Sequence, residues 1–307
     1  MCGIVGLHLR NPELYPRLGE LLAGMLCEME DRGADSAGIA VYGNEQWSPA
    51  GRGTISLVDI DVAAEEVAAT LTGSTGREVT TTVVDNVVLA SAEVDSEILL
   101  AAAKAAYPHA LVGGFGEDLA VLKGVGAPKE LAELWGLRDA TGWQGVGHTR
   151  MATESAVTSS GAHPYAVGPG ECMVHNGSFS NHASIRRDLI AAGQEFDSQN
   201  DTEVGARFVA QELKEGKGVD EALTDLTETF DGFYTLLVSN RDSFAVVRDA
   251  IACKPAVIAE TDDWVAMASE FRAIAHLPGI EDARIWEPEP EVIYHWSRTD
   301  AKQQVSA

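Results

Sequence analysis

The opening run Gly3-Ile-Val-Gly-Leu-His-Leu9 is nearly all apolar and reads as a short buried strand. Behind it Leu18, Leu21, Leu22, Met25, Leu26 and Met29 recur at helical spacing on one face. A buried strand followed by an amphipathic helix constrains the fold to a layered α/β beginning, because each apolar face must lie on another element. Ile39-Ala-Val-Tyr42 reads as a second strand that ends at Gly43-Asn44. From Gly147 onward strand and helix patterns alternate, and apolar runs over 234–238, 244–247 and 265–268 close the pattern with β-structure.

Between about 51 and 143 the character changes. A β-rich stretch over 79–89 is followed by an alanine-rich helix over 96–106, then the cluster Gly113-Gly-Phe-Gly116. This segment is expected to be an insertion packed on the main domain. The glycine cluster matches neither GxxxxGK[ST] nor a GxGxxG that opens a helix, so turn-forming glycine is the expected reading rather than nucleotide binding.

With 307 residues, 45% of them hydrophobic, the chain can bury one large core or two smaller ones. No stretch approaches the roughly 20 apolar residues of a membrane span, and no basic segment precedes an apolar run at the start, so a cytoplasmic protein is expected. Acidic residues outnumber Lys and Arg by 47 to 22, and the net charge of −25 would repel phosphates and anionic lipid, which argues against nucleic acid or membrane as partner. Lys is the scarcer cation, a bias that suits a salty cytoplasm. The four cysteines are scattered without a CxxC pair, which argues against a disulfide framework or a zinc site, and Cys27 falls in the helical pattern as a small core residue.

Cys2 differs because of its position. Methionine before a small residue is a good substrate for cotranslational removal, which would leave Cys2 with a free α-amine. That amine has a pKa of about 7.7–8.0, so it can act as base for the thiol on its own residue. Met-Cys-Gly alone would not decide the matter, but four further segments accompany it: Arg32-Gly-Ala-Asp-Ser-Ala-Gly38, Gly147-His-Thr-Arg-Met-Ala-Thr153, His175-Asn-Gly177 and Asn200-Asp-Thr-Glu203. In this order the five resemble the class II glutamine amidotransferases of the N-terminal-nucleophile hydrolase superfamily. With Lys123-Gly-Val-Gly, Ala162-His-Pro164, Ile251-Ala-Cys-Lys-Pro255 and Trp286-Glu-Pro-Glu-Pro290, the resemblance extends to the stand-alone amidotransferase subunits of glutamate synthase-like and N-methylglutamate synthase-like complexes and covers nearly the whole chain.

The resemblance implies an α+β fold, a four-layer αββα sandwich with two stacked antiparallel sheets and an inserted α/β segment. It also implies hydrolysis of glutamine through a γ-glutamyl thioester at Cys2, with Asn176 and Gly177 meeting the oxyanion. Arg150 would bind the α-carboxylate with its planar fork, assisted by Thr153, and Asp201 the α-ammonium. Arg32 is implied as a structural arginine beside the nucleophile, with Asp35 and Ser36 bracing its turn. No cofactor is implied in this chain; the ammonia acceptor would be a separate glutamate synthase-like subunit that carries any flavin or iron–sulfur group. A free-standing hydrolase of another γ-glutamyl amide is the alternative.

The sequence departs from the broader class at Met151, where many members carry an aromatic, and at Glu154, where many carry histidine. His148 and His175 fit buried, hydrogen-bonded strand positions better than metal ligands, since no HExxH is present. Glu203 and Asp249 are expected to serve as helix-end or loop ligands; Lys254-Pro255 and Ser269-Glu270 recur in amidotransferase domains, where the resemblance implies that they help close the site, but a turn and a helix cap explain them as well.

Overall fold

A strand as uniformly apolar as the first must be covered on both faces, and in the computed structural model, which describes residues 2–152 and 156–298, it is. In chain order the first half contains β1 (Gly3–Leu9), α1 (Leu18–Cys27), β2 (Ser36–Tyr42), β3 (Gly53–Val58), α2 (Ala64–Thr75), β4 (Val79–Val84), β5 (Val87–Ala92), α3 (Ser96–Ala106), β6 (Leu111–Glu117), β7 (Leu119–Val125), α4 (Pro128–Leu134) and β8 (Gln144–Arg150). There follow β9 (Cys172–Phe179), α5 (His182–Ala191), α6 (Asp201–Lys214), α7 (Val219–Thr229), β10 (Gly232–Ser239), β11 (Ser243–Arg248), β12 (Val257–Glu260), β13 (Trp264–Ala268), β14 (Arg284–Trp286) and β15 (Tyr294–Ser297).

The first sheet has the order β14-β12-β13-β1-β8-β2-β7, and every pairing in it is antiparallel. On β1, Val5, Leu7 and Leu9 point to the outer face, where Leu18, Leu21, Leu22, Met25 and Leu26 of α1 cover them. Ile4 points inward and packs with Val174, Leu237 and Phe244 of the second sheet, whose order is β15-β11-β10-β9. The outer face of that sheet carries Phe179, Tyr234 and Leu236 against Val204 and Val209 of α6 and Leu223 and Leu226 of α7. Helix, sheet, sheet, helix is the expected αββα sandwich. Each fully buried Leu, Ile or Phe in these layers contributes roughly 1.5–3 kcal/mol of transfer free energy.

The third sheet, β4-β5-β3-β6, holds its own core with α2 and α3, built on Ile55, Leu57, Val67, Leu71, Leu99 and Phe115. It spans 53–117, narrower than the expected 51–143. β7 pairs with β2 from Ser36↔Val125 to Tyr42↔Leu119, and Leu131 and Ala132 of α4 join the core beneath α1. The reason is burial on two faces: Leu119 and Val121 lie between the two main sheets, whereas Ala120 and Leu122 face the α1 layer.

The glycine cluster is a correction too. Gly113, Gly114 and Gly116 lie inside β6 and make no turn. A Cβ on Gly116 would lie 2.6 Å from the backbone of Gly170, so the missing side chain lets the loop before β9 lie directly on the strand. Among the described residues no helix is long and apolar enough to cross a membrane.

Candidate active site

The site forms where β1, β2, β8 and β9 bring their ends together. Cys2 sits half-buried at the head of β1, and its carbonyl accepts two hydrogen bonds, from Arg32 Nε at 2.9 Å and from Asn176 Nδ2 at 3.0 Å. One donor comes from the turn between α1 and β2 and the other from β9 in the opposite sheet, so the two sheets meet on this residue. The thiol lies 3.9 Å from the carbonyl of Met151.

Arg32 is buried, and its Nη1 donates to Glu270 Oε1 at 2.6 Å. Glu270 also pairs with Arg272, its Oε2 2.9 Å from Nε. Ser269 clamps the same corner: its N–H donates to the Ile4 carbonyl at 3.0 Å and its Oγ accepts from Ile4 N at 2.9 Å. Ser269 and Glu270 thus hold the head of β1 rather than merely capping a helix. Asp35 Oδ2 accepts from Ala152 N at 2.8 Å and so braces the chain where it leaves β8. Ser36, fully buried, has an Oγ with no hydrogen bond, so the bracing falls to Asp35 alone.

Arg150 closes β8 one residue beyond Thr149, whose register partner on β1 is Gly3, next to Cys2. Its guanidinium is buried, and Nη1 donates to the Ala156 carbonyl at 3.2 Å. Thr153 and Glu154 lie outside the described residues. Gly177 follows Asn176 with φ of +146°, and a Cβ there would lie 2.0 Å from the Phe233 carbonyl oxygen, so only glycine fits.

Asn200 caps α6 by accepting from Thr202 N at 2.9 Å, which places Asp201 in the first helical turn, where the exposed N–H groups favour a carboxylate. Asp201 Oδ2 accepts from Phe179 N at 2.8 Å, tying the helix to β9 two residues past Gly177, and its Oδ1 is 3.9 Å from His175 Nδ1. Cys2, Arg32 and Asn176 therefore touch directly, while Arg150, Gly177 and Asp201 are held on the neighbouring strand and helix ends.

Three imidazoles pack behind these groups. His148 stacks on His163 at 4.1 Å, and its Nε2 donates to the His175 carbonyl at 3.1 Å. Thr202 Oγ1 lies 2.8 Å from both His163 Nε2 and His175 Nδ1. Burial lowers His148 to about 3 and His175 to about 4, and holds His163 well below the usual range, so all three are neutral near pH 7. His163, Thr202 and the Arg32 partner Glu270 lie in the segments Ala162-His-Pro164, Asn200-Asp-Thr-Glu203 and Ser269-Glu270, but the sequence assigns no individual site role to His163 or Thr202. Among the described residues no group of three or more His, Cys, Asp or Glu could hold a metal ion. Glu203 and Asp249 serve as loop ligands: Glu203 accepts from Asp197 N at 2.9 Å and Ser198 N at 2.8 Å, and Asp249 from Tyr234 N at 2.7 Å.

The chain is 46% identical over 304 residues to the glutamine amidotransferase-like protein GlxB of Rhizobium meliloti (strain 1021), a match that covers 98% of this chain and 100% of that protein. It belongs to the glutamine amidotransferase family. The glutamine amidotransferase domain model matches residues 148–276 of this amidotransferase, from His148 through the corner held by Glu270. A Methanothermobacter thermautotrophicus protein carrying the glutamine amidotransferase name is 29% identical over 287 residues, covering 88% of this chain and 92% of its own length. Among solved structures, the B. subtilis glutamine phosphoribosylpyrophosphate amidotransferase superposes with a TM-score of 0.60 at 17% identity, over 97% of this chain and 50% of that one. The amidotransferase thus has the class II fold and spans about half the length of that enzyme.

Proposed function

We propose that this amidotransferase hydrolyses glutamine with Cys2 as an N-terminal nucleophile, exposed by removal of Met1, and passes the ammonia to a separate synthase subunit. The observation that carries the reading is the double grip on the Cys2 carbonyl by Arg32 and Asn176, which fixes the backbone of the residue whose thiol must attack.

In this mechanism the α-amine of Cys2 takes the thiol proton as sulfur attacks the amide carbon. The carbonyl oxygen becomes an oxyanion that Asn176 Nδ2 and the Gly177 N–H meet. Collapse expels ammonia, which leaves with the proton held by the α-amine, and water then cleaves the γ-glutamyl thioester to glutamate. Arg150 grips the substrate α-carboxylate and Asp201 the α-ammonium, so a free amino acid is the substrate.

The resemblance to stand-alone amidotransferase subunits supports a glutamate synthase-like acceptor; flavin or iron–sulfur chemistry would be that partner's. The test is glutamate formation by the processed chain, by Cys2→Ala and by a chain with an uncleavable N-terminal extension. Only the first should turn over, and faster with the partner. Equal turnover by all three would overturn the nucleophile assignment, and no response to a co-purified synthase would overturn the partner.

A further inference from the structure

We propose that Thr202 is a positioning residue: its hydroxyl, bonded at once to His163 and His175, orders the protons of both imidazoles and thereby fixes Asp201, Asn176 and Arg150 relative to one another. The identity of what is positioned rests on the proposed glutamine site, whereas the proton order does not.

A threonine hydroxyl has one hydrogen and a neutral imidazole has one N–H. With Oγ1 at 2.8 Å from both His163 Nε2 and His175 Nδ1, it can donate to only one, so at least one of the two nitrogens must carry a hydrogen and donate to it; were both to donate, neither ring would accept the hydroxyl hydrogen. Two orders use that hydrogen, and Asp201 chooses between them. Its Oδ1 lies 3.9 Å from His175 Nδ1, so in this buried setting the carboxylate favours a proton on that nitrogen and disfavours a lone pair there. His175 Nδ1–H then donates to Thr202 Oγ1, and the hydroxyl donates onward to His163 Nε2.

His175 Nε2 makes no hydrogen bond, so no rival acceptor draws the hydrogen of that ring away from Nδ1; in this order His163 carries its own hydrogen on Nδ1, which makes no hydrogen bond either. Lys254 acts on His175, and Lys123, Arg150 and the two other imidazoles act on His163; each disfavours a second proton and keeps the rings neutral. His148 is fixed separately, since a carbonyl can only accept and its Nε2 must carry the hydrogen.

The placement gives the order its purpose. Thr202 directly follows Asp201, and His175 directly precedes Asn176. The ring of His163 stacks on His148, two residues before Arg150 on β8. One hydroxyl thus links α6, β9 and the chain around His163–Pro164, and through them the groups proposed for the substrate's two charged ends and its oxyanion.

The test begins with the tautomers of the full, 15N-histidine-labelled chain at neutral pH, read by NMR. His175 and His163 should both be Nδ1–H and His148 Nε2–H; an Nε2–H form of either His175 or His163 would overturn the proposal. The second arm compares Thr202→Val with Thr202→Ser on glutamine. Loss of a buried hydroxyl that two groups depend on should lower kcat/KM by roughly tenfold or more, and Ser should restore it to within about threefold. A valine variant with wild-type kcat/KM, even one less heat-stable, would overturn positioning. Should that variant fail to fold, the tautomers of the wild type and the kinetics of the serine variant still decide. A wild type without glutaminase activity would sink the proposed function and leave the tautomer arm standing.

Discussion

Replacing Glu270 by Ala tests how much the site depends on a contact that no motif announces. Arg32 is 8% exposed at its side chain and forms an ion pair with Glu270, which is 35% exposed. Arg32 Nη2 already lacks a hydrogen-bond partner, so the substitution would strand a second nitrogen of the same buried cation. Breaking a fully buried pair costs about 3–5 kcal/mol. Glu270 is open enough for water to replace much of it, and the expected loss is about 1–2 kcal/mol. For a chain of this size that corresponds to a melting temperature lower by about 1.5–3 °C.

The same change should reach catalysis, because the other arm of Arg32 holds the Cys2 carbonyl. If half of that loss appears as disorder of the proposed nucleophile, kcat falls by roughly threefold while KM for glutamine stays near wild type. Glu270→Gln, which still accepts from Nη1, should retain part of both. Calorimetry and steady-state glutaminase assays read the two effects. An alanine variant unchanged in melting temperature and in kcat would refute the view that Arg32 needs this partner.

Arg150→Ala should lower kcat/KM for glutamine by at least about tenfold and Arg150→Lys recover only part, since the planar donor fork is lost; two unaffected variants would place the carboxylate elsewhere. Gly177→Ala should cost both stability and activity, because φ of +146° and an oxygen 2.0 Å from the new Cβ leave no unstrained solution, and thermal melts with kinetics check it. Burial holds His8 and His175 at about 4 and His148 at about 3, below the unfolded value of about 6.5. The unfolded chain therefore binds more protons between those values, and stability falls as pH drops from 7 toward 5. Burial raises Glu171 to about 7, which opposes the trend because its folded form keeps a proton that the unfolded chain loses. Glu171→Gln should therefore steepen the fall in melting temperature on acidification, and a slope unchanged or shallower would contradict it.

What the sequence reveals here is what local periodicity encodes. β1, α1, α3 and the Asn200 cap of α6 are each written within a few turns of chain, and the structure places them at or near the expected positions. The Gly113–Gly116 cluster misleads because glycine favours turns in isolation, whereas here it serves the approach of Gly170 from 54 residues away. β7, inside the expected 51–143 segment, shows a related limit: it has the same apolar character as its neighbours, and only its pairing with β2 shows which sheet it joins. Cys2, Arg32, Asn176 and Asp201 each sit in a motif, and the structure brings the first three into direct contact. Glu270 is 238 residues from Arg32 and Thr202 is 39 from His163, so no spacing rule could have joined them.

The central claim, that Cys2 carries the γ-glutamyl group, is tested most directly by mixing the processed protein with glutamine, quenching in acid during turnover and mapping adducts by peptide mass spectrometry. A γ-glutamyl thioester on the peptide that begins at Cys2, absent in Cys2→Ala, is the predicted result. Continued glutamate release with no adduct on that peptide, or an adduct mapped to Cys27, Cys172 or Cys253, would contradict it.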